Sequence, residues 1–119
     1  FGRACLLLAA LVLAAAPASA QANAEEVVDL ELVLLADATG SIDTAEIKFQ
    51  REGYASAITD PQVLNAITGG LHGKIAVTYV EWGDLNSQQV VVPWTVISDA
   101  EGAQKIAKVL RTMPLELSM

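Results

Sequence analysis

Cysteine is nearly absent from this chain of 119 residues, with Cys5 the single copy. One thiol excludes a disulfide framework and a zinc site built on several thiolates. Histidine is as scarce: His72 has no second imidazole with which to share a metal and no serine nucleophile nearby, so it reads as an exposed loop residue. Positive charge is also in short supply. Seven Lys and Arg stand against 14 Asp and Glu, a net charge of −7, which excludes the basic stripe that a nucleic-acid binder needs to neutralise phosphates. Long apolar runs are missing too. The unbroken run from Leu6 to Ala16 has 11 residues, whereas a spanning helix needs about 20. The total length suits one domain at most.

What the N-terminus does hold is the three parts of a secretory signal. Arg3 supplies the positive start, the apolar run the middle, and Pro17 with the small triplet Ala18-Ser19-Ala20 the end. Residues 1–20 therefore read as a signal peptide cleaved between Ala20 and Gln21, with Ala22-Asn23-Ala24 as a weaker second site. Cys5 precedes the apolar run instead of following it, which argues against a lipoprotein signal. The expectation is a periplasmic or secreted protein with no stable membrane anchor after cleavage. Its only thiol would leave with the signal, as suits an oxidising compartment. Taking 20 residues from 119 leaves 99, and losing Arg3 moves the net charge from −7 to −8.

Residues 21–26 form a polar lead-in without periodicity, read as a flexible tail. Val27 to Ala36 (VVDLELVLLA) begins with alternation and becomes wholly apolar. That pattern predicts a strand buried on both faces, the habit of parallel sheets covered by helices. Asp43 and Glu46 make a capping-box start for a helix in which Ile47, Arg51, Tyr54 and Ile58 recur at helical spacing, with Ala55 beside them. Asp60-Pro61 opens a short helix with an N-cap and a first-turn proline; Val63, Leu64 and Ile67 give its apolar face and Gly69-Gly70 its end.

Lys74 to Trp82 is rich in β-branched and aromatic residues, hence a strand parallel to the first. Gly83 to Ser87 is a turn, and Gln88 to Ile97 returns as the second arm of a hairpin. Pro93 cannot donate to a ladder, which places that arm at a sheet edge. Trp82 and Trp94 are expected to pair across the hairpin and pack in the core. Ser98 and Glu101 open a last helix whose buried stripe is Ala103, Ile106, Ala107, Leu110 and Met113, closed by Pro114. The alternation of strands and helices predicts an α/β domain with a mainly parallel sheet.

Chemistry concentrates in the turn Asp37-Ala38-Thr39-Gly40-Ser41, beyond the most apolar strand. Ligands of open α/β sheets bind beyond the carboxyl ends of strands. One carboxylate and two hydroxyls are hard oxygen donors suited to Mg²⁺, Mn²⁺ or Ca²⁺. Alternate positions on a tight loop can aim Asp37, Thr39 and Ser41 at one point. The bland reading, hydroxyls capping the following helix, fits the spacing equally well.

The stretch from Val28 to Asp43 resembles the opening of a von Willebrand factor type A (VWA) domain, whose metal-ion-dependent adhesion site begins with D-x-S-x-S. Asp37 matches the aspartate, Thr39 replaces the first serine while keeping a hydroxyl, and Ser41 matches the second. Gln50 to Tyr54, Gly73 to Trp82 and Val90 to Thr95 are similar to an uncharacterised family of secreted proteobacterial VWA-like proteins. The resemblance implies a doubly wound, mainly parallel sheet with an antiparallel edge strand, of which 27–119 would be the N-terminal portion. It also implies that the remaining metal ligands, a threonine and a second aspartate, lie on later loops beyond Met119. Thr112 falls too early to be one of them.

The function expected is a binding module and not an enzyme: Asp37, Thr39 and Ser41 would hold a divalent cation whose open position takes an acidic residue of a protein partner. Glu81, at the end of a parallel strand, would emerge near that cation, or else serve as a rim or helix contact. A metal-free interaction scaffold is the alternative. A third reading rests on a resemblance to the D-K-T-G-T motif of haloacid-dehalogenase-like phosphotransferases, with Asp37 as nucleophile; Ala38 in place of the lysine weighs against it. Gly69 to Lys74 fails the phosphate-loop spacing, since Thr68 occupies the first glycine position, and reads as a flexible loop.

Overall fold

The computed structural model describes residues 25–115; the signal-peptide reading of residues 1–20 lies outside them, as do most of the polar lead-in and the last four residues. The elements run β1 (Glu31–Asp37), α1 (Thr44–Thr59), α2 (Pro61–Thr68), β2 (Ile75–Asp84), β3 (Ser87–Ile97) and α3 (Ala100–Thr112). They form a mixed three-stranded sheet in the order β1-β2-β3. β1 pairs parallel with β2, and β2 antiparallel with β3. The α/β expectation and the antiparallel edge strand hold. Among the described residues no helix is long and apolar enough to cross a membrane.

Local chemistry explains the element ends. Asp43 and Glu46 form the expected capping box at the start of α1. Asp60 caps α2, accepting from the Gln62 and Val63 amides, with Pro61 at the first helical position. The cap of α3 is Asp99, one residue later than expected, whose carboxylate accepts from the Gly102 amide at 2.7 Å. A carboxylate at a helix N-terminus satisfies a free amide and also meets the positive end of the helix dipole, which a serine hydroxyl cannot do as well. α3 ends at Thr112, so Met113 lies beyond the buried stripe.

The β2–β3 hairpin is longer and tighter than its sequence suggests, with Leu85 and Asn86 alone between the strands. Asp84 accepts from the Asn86 amide at 2.7 Å and closes the turn. Farther along, Val77 faces Thr95 while Tyr79 faces Val92, so β3 carries an extra residue there. Pro93 sits in this bulge, where its missing N–H removes nothing from a regular ladder. Thr78 fills the irregularity by donating its hydroxyl to the Val92 carbonyl at 2.8 Å.

The Gly69–Lys74 loop is tied down where a flexible loop was expected. Asp29, just before β1, accepts from the amides of His72 (2.8 Å) and Lys74 (3.3 Å), which hold its carboxyl below the ordinary range. A side chain at Gly70 would collide with that carboxylate, and Gly73 has a φ of +65°, so glycine is required at both places.

One face of the sheet carries the core. Val77, Tyr79, Val91, Val92 and Ile97 pack with Ala55 and Ile58 of α1, Ile67 of α2, and Ala103, Ile106, Ala107 and Leu110 of α3. The other face is open. Val33 is 49% exposed and Leu35 64%, although their strand reads as buried on both sides. α1 and α3 pack together over the opposite face, so alternation along β1 turns Val33 and Leu35 away from every helix described. Trp82 and Trp94 are 39% and 53% exposed and do not meet: Trp82 is opposite Gln88, while Trp94 lies in the bulge four rungs away. The aromatic contact that does form is Tyr54 on Tyr79, centroids 5.2 Å apart, edge to face.

The asymmetry of the sheet has a measurable consequence. Ile97→Ala, on the covered face, should lower stability by about 2–5 kcal/mol, whereas Leu35→Ala should stay within about 0.5 kcal/mol, as read from urea midpoints. A surface clamp joins the two large helices: Arg111 of α3 donates to Glu52 of α1 through Nε (2.8 Å) and Nη2 (2.7 Å). These bonds, then that from Ser56, pull the Glu52 carboxyl from 4.5 down to about 2. A depressed carboxyl stabilises the fold above its unfolded value and loses that contribution as pH falls through the folded one. Acid titration from about pH 5 to pH 2 should therefore weaken the wild type more than Glu52→Gln, which should show a flatter stability profile across this window.

Candidate functional site

Asp37 is the last residue of β1, in register with Trp82, and the chain leaves the sheet immediately after it. Ala38 is wholly buried and donates its amide to the Trp82 carbonyl at 2.8 Å, so the first turn residue still hangs on β2. The Thr39 amide then bonds Asp37 Oδ1 at 2.8 Å, and the Ile42 amide bonds the Thr39 carbonyl at 2.8 Å. This tight reversal brings the hydroxyls of Thr39 and Ser41 to 3.3 Å of each other. The turn thus brings together the two hydroxyl oxygens that follow Asp37 in the chain.

The neighbouring carboxylates cap the helix. Asp43 Oδ1 accepts from the Glu46 amide at 2.9 Å, and Glu46 Oε2 accepts from the Asp43 amide at 2.8 Å. Asp37 Oδ2, like Asp43 Oδ2 and Glu46 Oε1, takes no hydrogen bond among the described residues. No cluster of three or more His, Cys, Asp or Glu side chains forms among the described residues. Any cation held here would therefore meet one carboxylate and two hydroxyls, an all-oxygen set that suits Mg²⁺ or Mn²⁺ and leaves most of the ion's ligands to water or a partner.

Glu81 is elsewhere. Its register partner is Ala36, so alternation turns its side chain to the face opposite Asp37. It is 1% exposed and bound by Arg51 in a bidentate pair, Nε to Oε1 at 2.6 Å and Nη2 to Oε2 at 2.9 Å. The helix-contact role, not proximity to the turn's oxygens, is what these contacts show. The Tyr79 hydroxyl adds a bond to Glu81 Oε1 at 3.3 Å. Burial first, and the adjacent Glu81 charge second, push the Tyr79 phenol far above its ordinary value, so it remains a donor. Arg51 also donates from Nη1 to the Met113 carbonyl at 2.6 Å and from Nη2 to the Pro114 carbonyl at 3.5 Å, just past α3.

The sequence carried a signal for this pair. Arg51 occupies the buried stripe of α1 between Ile47 and Ile58, and Glu81 follows Val77 and Tyr79 on the covered side of β2. A charge on each of two apolar faces calls for an opposite charge between them, because neither can be buried alone.

The family described as "Protein of unknown function (DUF1194)" matches residues 26–118. The chain belongs to this DUF1194 family. The matched span contains both the Asp37 turn and the Arg51–Glu81 pair. No curated protein and no solved structure matches the chain.

The two arginines that bind carboxylates should differ sharply on truncation. Arg51→Ala leaves Glu81 buried and unpaired and should cost about 3–5 kcal/mol of folding stability by denaturant titration. Arg111→Ala removes an exposed pair and should cost much less.

Proposed function

We propose that this DUF1194 chain is a VWA-like binding module that acts outside the cytoplasm, joining proteins through a divalent cation held by Asp37, Thr39 and Ser41. The observation that carries the reading is the turn itself. Among the described residues one Asp37 carboxylate oxygen takes no hydrogen bond, while the Thr39 and Ser41 hydroxyls converge to 3.3 Å beyond the end of a parallel strand. The D-x-T-x-S order and its position after the first strand support a VWA relationship, and the mixed sheet with its antiparallel edge is compatible with it.

Such a site supplies one negative charge to a doubly charged ion. The remaining positive charge and open positions favour an acidic side chain of a partner protein, which would be drawn to an otherwise acidic surface only through the metal. The sequence of residues 1–20 supports export to the periplasm or medium. Mg²⁺, Mn²⁺ and Ca²⁺ all suit hard oxygen donors; the small turn, with two short hydroxyl side chains, favours the smaller ions.

A metal-free scaffold is the second reading, favoured by the Thr39 amide bond to Asp37 and the hydroxyl–hydroxyl contact, through which the turn partly satisfies itself. Titration calorimetry separates the two. Wild type should bind Mg²⁺ or Mn²⁺ and Asp37→Ala should not, with unchanged far-UV circular dichroism. Silence toward both ions in a protein that also carries the later-loop threonine and aspartate would favour the scaffold.

A further inference from the structure

Between β1 and α1 the chain has six residues, 38–43, in which to build the turn. Its strand end is fixed by the β1–β2 ladder and by the Ala38–Trp82 bond. What fixes its helix end is less obvious, because the apolar residues that seat α1 (Ile47, Ala55 and Ile58) make contacts with no preferred bond direction. Arg51 adds a contact that has one. Its planar fork meets Glu81 through two parallel bonds at 2.6 and 2.9 Å, a geometry that a helix shifted by even one ångström would break.

The position of that lock matters. Glu81 immediately precedes Trp82, whose carbonyl holds Ala38, and its register partner Ala36 immediately precedes Asp37. Arg51 lies about two helical turns into α1. The same rung of the sheet therefore anchors the turn from the strand side and, through Arg51, from the helix side. The guanidinium also holds the Met113 and Pro114 carbonyls, so the chain leaving α3 closes over the ion pair and shields it from water.

We propose that Arg51 and Glu81 are positioning residues for the Asp37–Ser41 turn: by fixing α1 along its axis against β2, they hold Thr39 and Ser41 at the separation the site requires. The effect on metal affinity rests on the metal-binding reading above; the effect on the turn's order does not. A buried ion pair can be exchanged for apolar residues of similar volume with little loss of stability, so its directional role can be removed while the fold stays.

The test is hydrogen exchange of the full chain carrying Arg51→Met with Glu81→Met, alongside Mn²⁺ titration. The expected result is that Ala38, Thr39 and Ile42 amides exchange about tenfold faster or more while Val77 and Tyr79 in β2 keep wild-type protection, and that Mn²⁺ affinity falls about tenfold. Unchanged exchange in the turn of a folded variant overturns the proposal, and so does an equal rise at every amide, which marks a purely structural pair. Should the double variant not fold, Arg51→Lys decides by the same readouts, since lysine keeps the charge but loses the fork. If the wild type binds no Mn²⁺, the exchange pattern alone judges the positioning role.

Discussion

The ion pair between Arg51 and Glu81 is the contact on which three parts of the molecule converge. Glu81 belongs to the central strand, Arg51 to the longest helix, and the carbonyls of Met113 and Pro114 to the chain that leaves the last helix. Removing two charges from water is costly, and the attraction between them repays it only when the remaining polar atoms are satisfied. Here most of them are. The carboxylate receives two bonds from Arg51 and a third from Tyr79, and the guanidinium gives two of its three other donors to backbone carbonyls. Tyr54 then packs edge-on against Tyr79 and closes the cluster with apolar surface. The segments Gln50 to Tyr54 and Gly73 to Trp82, both within the span that the DUF1194 family matches, thus meet through their polar residues at one point.

The sheet around that point is unequal on its two sides. Its covered face is buried under the helices, while the open face presents Val33, Leu35, Trp82, Val90 and Trp94. A hollow of about 500 Å³ lies there, lined by Leu35, Val80, Trp82, Asp84, Leu85 and Gln88. A parallel pair that is apolar on both sides is the mark of a sheet covered twice. The two tryptophans are exposed for the same reason: each projects from the hairpin where no helix of the described residues reaches.

Much of this was legible in the sequence, and the failures have physical causes. Capping residues act over three or four positions, so Asp43–Glu46 and Asp60-Pro61 could be read from local order alone. Pro93 identified the edge strand because a missing N–H is a property of one residue. Choosing between Ser98 and Asp99 as the cap depends on which side chain points back at the helix, and spacing does not tell them apart. The burial of β1 and the expected tryptophan pair failed for a different reason. Periodicity reports what a face is made of, not whether anything covers it, and cross-strand pairing shifts with every bulge. The identity of the partner across 30 residues, Arg51 for Glu81, is a tertiary fact that two separate apolar faces can demand but not name.

The same distinction bears on the Asp37 turn. Glu81 is buried and bound on both oxygens, whereas the exposed Asp43 and Glu46 each give one oxygen to the other's amide. Asp37 differs from Glu81 in giving a single oxygen to a local amide, that of Thr39, and it lies half-buried at the sheet's end. A group on which the fold depends cannot easily be spared for binding, because engaging a ligand would undo the contacts that place it. A group the fold hardly needs can be. By that criterion the fold's electrostatics separate into two sets a few residues apart, one that builds the scaffold through Arg51 and Glu81, and one at Asp37, Thr39 and Ser41 that the scaffold holds out to solvent.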